Sequence, residues 1–138
     1  NVYAIAMGLC DGLGLPMNTK AVLLVNALKE LASLIKKMGG KQETVYGLAG
    51  LGDMVGTGLC AISRNRRFGE YLAQGLSKED ALKKVEQVVE GIKASETLHL
   101  LSKKVKIKLP LAETVYELVN CQRSPKIALE DYLKNSFK

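Results

Sequence analysis

Apolar and polar residues recur along most of this chain with the three- and four-residue spacing of helices that bury one face. The segment from residue 19 to residue 38 shows the pattern most clearly. Its apolar positions are Leu24, Ala27, Leu28, Leu31, Leu34, Ile35 and Met38. Asn18 is a suitable N-cap for this helix, and the glycine pair at 39 and 40 ends it after two lysines that suit a helix C-terminus.

Similar signals mark the helices on either side of it. Residues 1–11 are apolar and predict a first helix, which the glycines and proline of "DGLGLP" end. Ser63 predicts the cap of a helix that runs to about residue 74, because a serine oxygen accepts from the free N–H groups of a helix start. Ser77, followed three residues later by Asp80, predicts the start of the next helix.

The last third of the chain continues in the same way. The helical pattern that begins after Ser77 breaks near Gly91, and a further helix runs to about residue 103. Pro110 and Pro125 each suit the first position of a helix, and Ser124 is a fair cap for the last one. The segment "VKIKLP" alternates and is the only strand candidate, but it is short and isolated.

About eight helices without a dependable strand predict an all-α fold. The length of 138 residues fits one domain. No GxGxxG motif follows a strand, so we expect no dinucleotide-binding domain within these residues. The chain begins inside a helical pattern without an initiator methionine, and we therefore expect a domain that belongs to a longer protein.

The charge, the apolar runs and the cysteine content make several functional classes unfavourable. The net charge is +6, but the lysines are spread along the chain, only seven residues are aromatic, and no nucleic-acid motif is present, so nucleic-acid binding is not favoured. No apolar run reaches membrane-spanning length. Cys10, Cys60 and Cys121 have no metal-ligand spacing, which predicts free thiols in a reducing compartment and no metal site. The one histidine, His99, lies in an apolar helical stretch and is interpreted as structural.

The stretch "SRNRRFG" is the strongest candidate for a ligand site. A serine-capped helix start places free N–H groups beside Arg64 and Asn65, and arginine binds phosphate through two parallel hydrogen bonds. We expect Ser63, Arg64 and Asn65 to hold an anion, and Arg66 or Arg67 to form structural ion pairs. The residues alone allow equally well a capped surface helix without a ligand.

A second candidate is Asp53 in "GLAGLGDMVGTG". A carboxylate among small apolar residues is expected to be at least partly buried and therefore to need a partner, although helix capping is the alternative. Thr57 follows one turn later and shares its face if the segment is helical. The residues of "QVVEG" alone indicate that Glu90 is a helix cap or an exposed surface charge.

These stretches together resemble a known family. The segments "NVYAIAMGLCDGLGLPMNTKA", "GLAGLGDMVGTG", "SRNRRFGEYLAQG" and "QVVEGIKA" occur in the same order and at similar spacing in NAD(P)-dependent glycerol-3-phosphate dehydrogenases of the bacterial and plastid type. The resemblance covers essentially the whole chain. It implies the helical C-terminal substrate domain, of the 6-phosphogluconate-dehydrogenase C-terminal type, without its N-terminal Rossmann domain.

The resemblance also implies a reaction. Hydride transfer with NAD or NADP interconverts sn-glycerol 3-phosphate and dihydroxyacetone phosphate in the cytoplasm, and the product feeds glycerophospholipid synthesis. A lysine expected immediately before Asn1 acts as general acid and base. Residues 1–138 alone are therefore predicted to be inactive. A homodimer is compatible with the resemblance, and neither nucleic acid nor a membrane span is implied.

The resemblance assigns roles to particular residues. Asp53 matches a catalytic position that orients the lysine. The substrate positions are Asn1, Asp53, Thr57, Ser63, Arg64 and Asn65. The cofactor positions are Arg64, Val88 and Glu90. The alternative function is a non-catalytic helical module that binds an anion.

Overall fold

A computed structural model of the chain describes residues 1–120 and 123–136, which excludes Cys121. The residues so described form eight α-helices: α1 (Val2–Gly12), α2 (Met17–Lys37), α3 (Asp53–Gly58), α4 (Arg64–Ala73), α5 (Lys78–Val85), α6 (Glu90–Val105), α7 (Pro110–Asn120) and α8 (Pro125–Ser136). A 3-10 helix (Gln42–Tyr46) and a π-helical turn (Leu48–Gly52) connect α2 to α3. No strand occurs in the described ranges, and the predicted all-α fold is confirmed.

The first helix forms the centre of the domain. Every residue of α1 from Val2 to Cys10 is buried, as expected for a helix that is apolar on all sides. Helices α2, α3, α4, α6 and α7 pack around it, and α4 makes the most extensive contact. Burial raises the pKa of the Cys10 thiol to about 12, so this cysteine is a protonated core residue at neutral pH.

Helices α1 and α4 approach each other through glycines. A methyl group added at Gly8 would overlap the Arg66 carbonyl, and one added at Gly69 would overlap the Ile5 carbonyl. Close backbone approach of this kind is possible only where no Cβ intervenes. The contact holds the start of α4 beside the start of α1, which determines where the "SRNRRFG" stretch lies.

A cluster of charged side chains ties the loop before α4 to the end of α1. Arg66 Nη2 lies 2.6 Å from Asp11 Oδ2, and Lys20 contacts the same carboxylate. Arg66 Nη1 also donates to the Ala61 carbonyl oxygen at 3.4 Å and lies 3.5 Å from Glu70 Oε2. The Arg66 side chain is only 13% exposed, and the prediction that Arg66 or Arg67 forms structural ion pairs is confirmed.

The buried carboxylate of Glu30 joins α7 to the centre of the fold. Glu30 Oε1 accepts from the Leu111 N–H at 2.6 Å, and Glu30 Oε2 accepts from the Ala112 N–H at 3.2 Å and the Tyr3 hydroxyl at 3.1 Å. Burial raises the pKa of Glu30, and the two backbone hydrogen bonds act in the opposite direction. Glu30 thus satisfies free N–H groups at the start of α7 from a distant position in the chain.

Most predicted helix boundaries agree with the structure. Ser63 accepts from the Arg66 N–H at 3.3 Å, and Ser77 accepts from the Asp80 N–H at 3.1 Å, so both predicted caps are confirmed. Pro110 and Pro125 are the first residues of α7 and α8, as predicted. The strand candidate is not a strand, because Val105 ends α6 and Lys106 has a left-handed conformation with φ of 55°.

Two boundary predictions are wrong. Asn18 does not cap α2, because the helix begins one residue earlier, at Met17, after the extended Pro16. The break predicted near Gly91 lies at residues 86–89 instead, and Gly91 is the second residue of α6. A left-handed Glu86 ends α5, and Asn65 Oδ1 on α4 accepts from the Gly91 N–H at 2.8 Å in the first turn of α6. Neither event has a signal in local hydrophobic spacing.

His99 has the structural surroundings that the sequence predicted. Its ring stacks on Tyr116 with centroids 3.8 Å apart, and its Nδ1 atom lies 2.7 Å from Glu113 Oε2. The pair joins α6 to α7. Cys10 and Cys60 are free thiols. Within the ranges that the structure describes, no helix is both long enough and apolar enough to cross a membrane.

Candidate functional site

The starts of several helices converge on one side of the domain. Asn1 precedes α1, Asp53 begins α3, Ser63 caps α4 and Glu90 begins α6. The free N–H groups of a helix start and its positive dipole end favour anions. The fold therefore brings together four sequence segments that are far apart in the chain.

Two adjoining cavities lie at this convergence. The larger has a volume of about 690 Å³ and includes Asp53, Val88 and Glu90 in its lining. The smaller, of about 310 Å³, includes Ser63, Arg64 and Asn65. Asn1 and Thr57 line both. All eight residues predicted as site residues thus line one or both cavities.

The Arg64 side chain extends from the first turn of α4. Its Nη2 atom lies 3.0 Å from Glu90 Oε1, and both side chains are 43% exposed. An ion pair this accessible is weak, so a ligand phosphate can compete for the guanidinium. The residue predicted to bind the phosphate and a residue predicted to contact the dinucleotide are therefore direct neighbours.

Asp53 is more exposed than the sequence predicted. The sequence indicated an at least partly buried carboxylate, but Asp53 is exposed, and it does not cap a helix through its side chain. The physical reason is that α3 turns only Met54 and Gly58 toward the interior. The predicted neighbour is confirmed, because the Thr57 hydroxyl donates to Asp53 Oδ1 at 3.4 Å.

Two carboxylates act on the Asn1 main-chain nitrogen. The carboxylates of Asp53 and Glu90 lie close enough to the Asn1 main-chain nitrogen to act on it electrostatically. Both carboxylates therefore act on the point at which an upstream residue would join the chain. A cation placed there would be stabilised by two negative charges.

Residues that no sequence pattern had singled out also line the cavities. Gln87 lines the smaller cavity, and Lys93 lines the larger one, one turn after Glu90 on α6. A hydrophobic floor of the larger cavity was not predicted either. This floor includes Tyr3, Leu31, Met54, Val89, Ala94 and Leu98. One face of α6 lines this cavity, and its residues recur every three or four positions, which could have indicated that they lie together. They are Glu90, Lys93, Ala94, Thr97 and Leu98.

Over residues 1–120 and 123–136, no three histidine, cysteine, aspartate or glutamate side chains lie close enough together to hold a metal ion. The polar groups at the site are instead a guanidinium, amides, hydroxyls and carboxylates. A guanidinium, amides and hydroxyls can bind a phosphorylated or hydroxylated ligand through hydrogen bonds.

Over the described residues, this arrangement defines an all-helical domain with two adjoining cavities where the helix starts converge. The sequence profile of a family described as "NAD-dependent glycerol-3-phosphate dehydrogenase C-terminus" matches residues 1–130. The chain belongs to this family.

Individual relatives agree with that assignment. Proteins named glycerol-3-phosphate dehydrogenase [NAD(P)+] from Synechococcus sp. (strain RCC307) and Coxiella burnetii (strain RSA 331) are each 41% identical over all 138 residues. A crystal structure of glycerol-3-phosphate dehydrogenase from Coxiella burnetii superposes with a TM-score of 0.93 at 40% identity over 96% of this chain. The chain spans 46%, 42% and 41% of the lengths of these three proteins.

Proposed function

We propose that residues 1–138 are the substrate domain of an NAD(P)-dependent glycerol-3-phosphate dehydrogenase and supply half of a site that a dinucleotide-binding domain completes. The observation that carries the proposal is the convergence of Asn1, Asp53 and the Ser63–Arg64 helix start around two adjoining cavities. The names of relatives that are about twice as long support the same reading. The single domain at 1–138 and a separate Rossmann domain are part of this proposal.

The start of α4 suits the substrate phosphate. Arg64 offers a forked pair of N–H donors, and the first turn of α4 adds its dipole and backbone N–H groups. The Ser63 hydroxyl accepts from the Arg66 N–H and remains free to donate its own proton to a phosphate oxygen. The phosphate thereby fixes the distance of the reacting carbon from Asp53.

Asp53 and Asn1 suit the reacting end of the substrate. We propose that a lysine immediately before Asn1 exchanges a proton with the C2 oxygen, and that Asp53 holds its ammonium group in place. The proximity of the Asp53 and Glu90 carboxylates to the Asn1 main-chain nitrogen supports this placement. Thr57 restrains the Asp53 carboxylate through its hydroxyl and lines both cavities.

Residues that line the two cavities fit a nicotinamide dinucleotide. Val88 is 72% exposed and offers an apolar contact, Glu90 can accept from hydroxyl groups, and Arg64 can pair with a diphosphate. When bound, NAD or NADP supplies the hydride acceptor or donor for C2. The protein residues bind and orient it, and the exposed Ile62 (81%) and Val88 at the cavities are typical of surfaces that another domain covers.

The proposal is tested with the full-length protein that contains residues 1–138. We expect it to oxidise NADH or NADPH when dihydroxyacetone phosphate is added and not when unphosphorylated dihydroxyacetone is added, followed by nicotinamide absorbance. Residues 1–138 alone should show no turnover. A folded full-length protein that oxidises neither cofactor would contradict the proposal and favour a non-catalytic anion-binding module.

The proposal also covers the cellular location and the oligomeric state of the enzyme. Free thiols at Cys10 and Cys60 support a reducing, cytoplasmic location. A homodimer stays a prediction, which sedimentation of the full-length protein tests.

Replacing Arg64 by lysine in the full-length enzyme is expected to raise KM for dihydroxyacetone phosphate about 10- to 100-fold, because the charge is kept but the forked pair of hydrogen bonds is lost. Steady-state kinetics measure the change. Arg67→Lys is the matched control, since Arg67 Nη2 donates to the Tyr71 hydroxyl at 3.2 Å, and neither residue lines a site cavity. Unchanged kinetics in Arg64→Lys would exclude a phosphate-binding role.

A further inference from the structure

The buried carboxylate of Glu30 lies next to the floor of the larger cavity. Glu30 belongs to α2 and is only 8% exposed. The Tyr3 hydroxyl donates to its Oε2 atom at 3.1 Å. Tyr3 lines the larger cavity, and so does Leu31, which follows Glu30 in the chain. One carboxylate therefore joins α2 and α7 to the first turn of α1, beside the cavity proposed for the reacting end of the substrate.

The start of α7 fixes the position of this carboxylate. Pro110 has no N–H group, and the next two residues, Leu111 and Ala112, donate to Glu30 Oε1 at 2.6 Å and to Oε2 at 3.2 Å. N–H groups in the first turn of a helix have no acceptor within the helix, so these two depend on Glu30. Two donors on a rigid backbone hold both oxygens, and Tyr3 is therefore the partner whose position the carboxylate determines.

The Tyr3 hydroxyl keeps its proton and acts as the donor. Tyr3 is only 4% exposed. Burial and the nearby charge of Glu30 both raise the pKa of Tyr3 well above its ordinary value. A hydrogen bond to a charged acceptor is stronger than one between neutral groups, and breaking it inside the fold would leave a buried hydroxyl without a partner. The contact therefore ties the first turn of α1 to the carboxylate that α7 holds.

The first turn of α1 leads directly to the reacting end of the proposed site. Tyr3 lies two residues after Asn1, which corresponds to about 3 Å along a helix axis. The proposed lysine would join the chain at the Asn1 main-chain nitrogen, close to the carboxylates of Asp53 and Glu90. A small rotation of this turn would move the lysine relative to C2 of the substrate. The start of α4 belongs to another helix, so the proposed phosphate contacts would stay in place.

We propose that Glu30 is a positioning residue for the hydride-transfer reaction. Through the Tyr3 hydroxyl it fixes the first turn of α1, and thereby the lysine proposed to precede Asn1, relative to the reacting carbon. Glu30 touches neither the substrate nor the cofactor in this role. The inference rests on the proposed function of the site, and it assigns to the contact between Tyr3 and Glu30 an effect on turnover rather than on ligand affinity.

The experiment uses Tyr3→Phe in the full-length protein, because this change removes only the hydroxyl and leaves the contacts between Glu30 and α7 intact. We expect kcat for the reduction of dihydroxyacetone phosphate to fall about tenfold, since a misplacement of about 1 Å at a reacting group costs up to about 100-fold in rate. KM for dihydroxyacetone phosphate and the NADH affinity should each stay within about twofold. Steady-state kinetics and fluorescence titration with NADH measure these quantities separately.

Tyr132→Phe is the matched control. Tyr132 is a similarly buried tyrosine, at 7% exposure, and it lines a third cavity of about 270 Å³ together with Glu30. It lines neither site cavity. Removing its hydroxyl deletes the same atom near the same carboxylate, and kcat should stay unchanged. Equal kcat in Tyr3→Phe and Tyr132→Phe would mean that the Tyr3 hydroxyl is merely structural, and this result would overturn the proposal.

A second variant tests whether Glu30 and Tyr3 act as one unit. Glu30→Gln keeps the size of the side chain but has one acceptor oxygen instead of two, so it cannot hold both α7 and Tyr3. We expect it to lower kcat at least as much as Tyr3→Phe, and the double variant should lose nothing further, because coupled residues are not additive.

The double variant also shows what would contradict this coupling. Independent losses that multiply in the double variant would overturn the proposal. If Glu30→Gln folds poorly, the comparison of Tyr3→Phe with Tyr132→Phe decides the matter. Absence of both NADH binding and turnover in the unsubstituted protein would instead overturn the proposed function and, with it, this inference.

Discussion

Replacing Asp53 by asparagine in the full-length dehydrogenase is expected to lower kcat about 100- to 1000-fold, with a much smaller change in KM for dihydroxyacetone phosphate. The substitution keeps the size of the side chain and removes the charge that we propose holds the lysine ammonium. Thr57 could still donate to the amide oxygen, so the local structure of α3 should persist. Steady-state kinetics of the reduction measure both constants.

The matched control for this prediction is Asp80→Asn. Asp80 is also an exposed aspartate in the first turn of a helix, and the Ser77 hydroxyl donates to its Oδ2 atom at 2.9 Å. It lines neither site cavity, and its replacement should leave kcat unchanged. Normal turnover in Asp53→Asn would rule out a catalytic role for Asp53.

Replacing Gly69 by alanine is expected to destabilise the domain by about 3 kcal/mol or more, at or above the upper end of the usual cost of overpacking. The added methyl group would overlap the Ile5 carbonyl, and a backbone carbonyl in a buried helix cannot rotate away as a flexible side chain can. Urea unfolding of the full-length protein measures the loss, and hydrogen exchange of α1 and α4 amides shows that it originates in this domain.

Gly56→Ala is the control for the steric explanation. A Cβ atom at Gly56 would meet no other atom within 4 Å, and the residue lies within α3. Alanine there should leave stability unchanged or raise it by less than about 1 kcal/mol, because it reduces the freedom of the unfolded chain. If Gly69→Ala were as stable as Gly56→Ala, the close contact between α1 and α4 would be contradicted.

Helix caps and helix starts that depend on residues close together in the chain were mostly predicted correctly. Ser63 and Ser77 were recognised as caps because each accepts from an N–H group three residues later, and Pro110 and Pro125 as helix starts because their own ring geometry favours that position. Asn18 has the right chemistry for a cap but lies in the first turn of α2. The capping serines and the two prolines act within one helical turn, so a residue and its near neighbours largely determine these helix starts.

The candidate site was predicted mainly by resemblance to the dehydrogenase family. Residue chemistry alone left an anion site and an empty surface helix equally open for Ser63, Arg64 and Asn65. For Asp53 it predicted burial, and the structure shows an exposed carboxylate on a short helix with few inward-facing residues. Burial depends on which segments pack above a residue, and spacing along the chain does not contain that information.

The sequence by itself determined the helices, most of their caps and the presence of an arginine-rich helix start, because spacing and capping act over three or four residues. Only the tertiary structure decided that Asn65 accepts from the Gly91 N–H near the start of α6, that Arg64 faces Glu90 and that Asp53 and Asn1 line the same cavity. Each of these contacts joins residues from different helices. Their geometry depends on how closely α1 and α4 pack, which the glycines permit but no local pattern specifies.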